Sequence, residues 1–91
     1  MSDASPIYAR TADIIEADVG GEVVLLHTRN WQYFEFDTVG TAIWKLLYEP
    51  HGLPSLVDAL LCTFDVERDT CATETKAFLD EMVEQGLVTA S

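Results

Sequence analysis

A chain of 91 residues with 16 acidic and 5 basic side chains, and so a net charge of −11, sets aside two classes of function at once. Nucleic-acid binding needs a basic footprint to displace counterions from phosphate, and docking on anionic lipid needs positive charge too. With 48% of its residues hydrophobic, the chain suits one small domain that needs neither disulfide nor metal.

Taken in order, Met1 to Pro6 is polar and small, and residues 1–11 are expected to form a flexible arm ahead of a domain over 12–91. Ala12 to Val19 predicts a first strand, and Gly20-Gly21 supplies the positive φ of a hairpin turn. Glu22 to Thr28 predicts a central strand, because four consecutive apolar residues imply cover on both faces. Arg29-Asn30 reads as a two-residue turn, and Trp31 to Phe36 as a returning edge strand. Phe34 and Phe36 then face the core, with Trp31 and Tyr33 on the other face.

Asp37 is placed to cap a helix over Thr38 to Tyr48, whose inward stripe is Val39, Ile43, Leu46 and Leu47. Ser55 and Asp58 suggest a capping-box start to a second helix, Leu56 to Thr63, with Cys62 as a small core residue. A third helix over Thr70 to Gln85 carries Phe78, Leu79, Met82 and Val83, and Gly86 fits its end. The predicted class is α+β: a three-stranded antiparallel meander followed by three helices, similar to a winged helix with reordered elements.

No apolar run reaches the roughly 18 residues of a membrane span, and the N-terminus lacks the pattern of a signal peptide. The expectation is a cytoplasmic protein with Cys62 and Cys71 reduced. His27, His51 and the two cysteines have no metal-ligand spacing. No nucleophile–base pair, phosphate loop or paired catalytic carboxylate stands out, so the expectation is no enzyme and no cofactor.

Three blocks occur in order: Val23-Val24-Leu25-Leu26; Tyr33-Phe34-Glu35-Phe36-Asp37-Thr38-Val39-Gly40-Thr41-Ala42-Ile43-Trp44; and Phe78-Leu79 through Gly86-Leu87-Val88. Together they resemble the PqqD-like family, also called RiPP recognition elements. Phe36-Asp37 stands where the family usually has Leu-Asn, and Met82 where it has Leu. The resemblance implies a discrete protein that binds the leader of a ribosomally made precursor peptide. Such a protein hands the precursor to a separate leader peptidase and cyclase, as in lasso-peptide systems, or to a radical-SAM enzyme. It further implies strand addition along Trp31, Gln32, Tyr33, Phe34, Glu35 and Phe36, with Glu74, Thr75, Phe78, Leu79, Met82 and Val83 across a groove.

The residues support this on their own terms, since a short edge strand leaves backbone donors and acceptors that an incoming strand satisfies. Trp31 and Tyr33 serve either as guest contacts or as cover for the outer sheet face. Glu74, Glu81 and Glu84 are either a solvated face or partners for basic guest residues. A protein–protein adaptor of the same fold is the competing function. A free edge also permits a dimer in place of a monomer.

Overall fold

The computed structural model describes residues 6–91. The elements are β1 (Ile7–Arg10), β2 (Ile14–Val19), β3 (Glu22–His27), β4 (Gln32–Glu35), α1 (Thr38–Leu46), β5 (His51–Gly52), α2 (Leu53–Thr63), α3 (Arg68–Glu84) and β6 (Val88–Ala90). The expected meander is present as an antiparallel sheet in the order β2-β3-β4. The expected three helices follow it.

A second sheet, β5-β1-β6, was not legible in the sequence. Its strands are two to four residues long, too short for an alternating pattern to register. It corrects the expected arm over 1–11, because residues 7–10 are a paired strand and Tyr8 is buried. Residues 1–5 lie outside the described part. The Ile7 N–H donates to the Ser91 carbonyl at 2.8 Å, and the Ser91 N–H donates back at 3.0 Å. The two ends of the described chain are thereby laced together.

The core lies between the inner face of β3 and the helices. Val23 and Leu25 from β3, Ile43, Trp44 and Leu47 around α1, Leu56, Val57 and Leu60 from α2, and Leu79 and Met82 from α3 are all buried there. The Val23 N–H donates to the Thr41 hydroxyl at 2.9 Å, which satisfies a buried polar group and locks β3 onto α1. Arg10 acts as a clamp. It lies 4.3 Å over the Trp44 ring, donates to the Trp44 carbonyl at the end of α1, and pairs with Glu16 of β2 at 3.2 Å. Burial lowers the Arg10 pKa from its ordinary value, with Glu16 and then Tyr48 opposing that shift.

Several local expectations change. The Arg29-Asn30 turn is a four-residue loop over 28–31, closed by Trp31 in the left-handed region at φ 58°. Trp31 therefore precedes the strand instead of opening it. The Asn30 side chain accepts from the Gln32 N–H at 3.0 Å and supports this loop. Helix α2 starts at Leu53 with Gly52 as N-cap and Pro54 in its first turn, a position that needs no N–H. Ser55 does not cap it; its hydroxyl sits 2.9 Å from His51 Nδ1. Cys62 is exposed, whereas Cys71 is buried.

Gly86 ends the helical segment at φ 79°, and a Cβ there would sit 3.3 Å from His27 Nε2. Gly86→Ala should cost about 1–2 kcal/mol, since an L side chain resists this conformation. In a domain of this size that corresponds to a fall of about 5–15 °C in Tm, read from a thermal melt. The turn at Gly86 returns Leu87 and Val88 to the core, where both are buried.

Candidate functional site

β4 closes one side of its sheet, and among the described residues no strand pairs with its outer edge. The Phe36 N–H donates to the Val23 carbonyl at 3.0 Å, in register with the Leu25–Phe34 and Leu26–Tyr33 pairs. Backbone direction alternates along an antiparallel strand. Phe34 and Phe36 thus turn their backbones toward β3, while Tyr33 and Glu35 turn their N–H and C=O groups outward. Four backbone groups face an open edge. The Tyr33 hydroxyl donates to Glu35 at 2.9 Å, which raises the phenol's pKa and holds both side chains together on the outer face.

Helix α3 touches this sheet at two points and runs antiparallel to β4 between them. Its Phe78 ring meets Phe36 at 5.2 Å, nearly edge-on. Its far end, at Gly86, reaches His27, which pairs with Gln32. Where β4 leads into α1, a cleft of about 170 Å³ opens. Its walls are Val39, Gly40 and Ile43 near α1's start, Leu60 and Phe64 from the end of α2, Val66, and Cys71, Thr75 and Phe78 from α3. Two exposed carboxylates, Asp37 and Glu74, border it. Asp37 also caps α1, accepting from the Gly40 N–H at 2.8 Å. Gly40 lets this corner close up, since a Cβ there would lie 3.2 Å from both Phe36 and Phe78.

The structure sorts the anticipated site residues into three groups. Gln32, Tyr33, Phe34 and Glu35 form the edge strand, with Phe36 just beyond it. Trp31 lies at its start, 70% exposed, and Tyr33 is 59% exposed. Glu74, Thr75 and Phe78 line the cleft. Leu79 and Met82 are core residues, and Val83, nine residues on from Glu74, is half a turn round the helix from it. Helical spacing brings Glu81 onto the same side as Glu74 and carries Glu84 nearly a quarter-turn away. Sequence reasoning missed Val39, Leu60, Phe64 and Cys71 as cleft walls, because four separate segments converge there. Among the described residues no group of three or more potential metal ligands clusters, and no helix is long and apolar enough to cross a membrane.

An open sheet edge beside an apolar cleft, on a winged-helix-like α+β frame, defines a small module suited to holding an extended segment. The chain belongs to the PqqD family, described as coenzyme PQQ synthesis protein D, which it matches over residues 22–88. It is similar to the solved structure of TbiB1 in complex with the TbiA(beta) leader peptide. That likeness has 32% identity and a TM-score of 0.82, covering 88% of this chain and 93% of that one. A lasso peptide synthetase B1 complexed with the leader peptide shares the fold, at 21% identity and a TM-score of 0.80 over 90% of this chain and 96% of that one. No curated protein matches the chain.

Proposed function

We propose that this chain binds the leader segment of a ribosomally synthesised precursor peptide and presents the precursor to a separate maturation enzyme, without catalysing a step itself. The observation that carries this reading is the set of outward backbone groups on Tyr33 and Glu35 beside the cleft. They occur in a fold whose 32%-identical relative was solved with a leader peptide. The leader adds to β4 as a further strand, with one side chain entering the cleft. Of the two enzymes that the family resemblance allows, the one we propose to follow is a leader peptidase, as in lasso-peptide systems, and not a radical-SAM enzyme. The setting we propose is cytoplasmic, and the loaded form is a monomer, because an edge-strand dimer would consume the same backbone groups.

Four backbone hydrogen bonds at about 1 kcal/mol each and two apolar anchors at about 2 kcal/mol each give on the order of 8 kcal/mol gross. Ordering the leader takes back several kcal/mol, which leaves room for useful but reversible binding. Reversibility suits a carrier. The gain lies in raising the local concentration of the tethered core peptide at its enzyme.

The test is a backbone-amide NMR titration with the synthetic leader of the precursor encoded beside this chain's gene. Shifts should concentrate on Gln32 to Phe36 and on α3 around Glu74 to Phe78. Shifts confined to other elements, or none at millimolar peptide, would overturn the reading.

Trp31 gives a second test. A bulky residue in the left-handed region is strained, and Trp31 is 70% exposed. Trp31→Gly should therefore leave stability within about 1 kcal/mol of the parent, the relief of strain offsetting glycine's chain entropy. If the indole rests on the leader, calorimetric titration should show affinity falling by about tenfold, as for loss of an exposed aromatic contact.

A further inference from the structure

We infer that the groove selects a leader segment in which an apolar side chain is flanked by lysine or arginine. This rests on the leader-binding reading above and adds the chemistry of the guest. All five lysine and arginine side chains are ion-paired: Arg10 with Glu16, Arg29 with Asp13, Lys45 with Asp18, Arg68 with Asp58 and Lys76 with Asp80. None of those five carboxylates borders the cleft. Asp37 and Glu74 do border it, and among the described residues neither has a cationic partner.

The cleft's interior is apolar, formed by side chains such as Ile43, Leu60 and Phe78. One polar group is built into it. Thr75 is 2% exposed, and the partner of its hydroxyl is the Cys71 sulfur at 3.9 Å, a weak contact that leaves hydrogen-bonding capacity unused. An apolar guest side chain fits the walls. Its neighbours along the extended guest emerge at the rim, where the two carboxylates stand. A neutral or acidic residue there would leave Glu74 with no counter-charge and Asp37 with only the N-terminus of α1, against a protein already at −11. A cation would be the missing counter-charge, and it would also be steered toward the site from a distance.

The experiment selects binders from a displayed library of random 14-residue peptides on the immobilised chain. Selection is then repeated on the Asp37→Asn/Glu74→Gln double variant, in which asparagine preserves the helix cap. Peptides won on the parent should carry Lys or Arg within two residues of an apolar position. Their Kd should rise about tenfold on the double variant at low salt, and most of that difference should vanish near ~0.5 M salt, where the charges are screened. Binders that lack basic residues, or that bind both proteins equally well, overturn this inference. The same peptides are then tested on Glu35→Pro. Those that lose binding there but ignore the double variant overturn the charge selection alone. Peptides that bind Glu35→Pro as well as the parent, or a library that yields no binder, overturn the strand-capture reading and this inference with it.

Discussion

Replacing Glu35 by proline should weaken peptide capture severely while the chain stays folded. The Glu35 N–H points away from β3, as follows from the Phe36–Val23 hydrogen bond and the register of the β3–β4 ladder. Proline removes that donor and puts a ring where the guest backbone must approach, but takes no backbone hydrogen bond from the existing sheet and costs only the exposed Tyr33–Glu35 side-chain bond. Proline also restricts the residue before it to extended backbone, which Phe34 already has as part of β4. With the central hydrogen bonds of the added strand gone, binding should weaken by about 2–4 kcal/mol, or on the order of 30- to 1000-fold. A proline at Phe34 is the contrasting case. Phe34 faces Leu25, so its N–H belongs to the internal ladder and its loss should unfold the sheet. Calorimetric titration together with thermal melts separates the two effects. A Glu35→Pro protein that binds leader with parental affinity would rule out strand addition at β4.

Leu79→Ala and Phe78→Ala should fail in different ways although the residues are adjacent. Leu79 is fully buried, so its truncation leaves a cavity costing about 2–5 kcal/mol. That is a large share of the roughly 5–15 kcal/mol available to a domain, and Tm should fall by about 10–30 °C. The affinity of the molecules that remain folded should not change, because Leu79 does not reach the cleft. Phe78 is half-buried, packs against Phe36 and forms a cleft wall. Its truncation should cost less stability, about 1–3 kcal/mol, yet weaken peptide binding about tenfold by widening the anchor pocket. Affinity loss in Leu79→Ala without a matching loss of stability would place the groove on another face of α3.

That contrast shows where sequence reading reached its limit. Phe78, Leu79, Met82 and Val83 share an apolar stripe by spacing, and spacing treats them as equivalent. The fold does not. Leu79 and Met82 turn into the core, Phe78 lies at the boundary with β4, and Val83 faces out. Periodicity finds the apolar side of a helix but not which part of that side another element covers. The same limit applies to Cys62 and Cys71. Both sit on helices, yet the buried one lies on α3, where α1 and α2 close over the cleft.

The sequence by itself determined the elements with strong local signals. The Gly20-Gly21 hairpin, the buried β3, the Asp37 cap and the Gly86 stop all depend on residues within a few positions of one another. It also determined the charge, and with that the expectation that neither nucleic acid nor anionic lipid is the partner. Only the tertiary structure decided the second sheet, whose short strands gain their stability from pairing across the whole length of the chain. It alone decided the cleft, because walls drawn from the start of α1, the end of α2, the linker at Val66 and the first part of α3 meet only after folding. The left-handed Trp31 belongs with these: nothing in a tryptophan favours that conformation locally, so the loop and the sheet it closes must impose it.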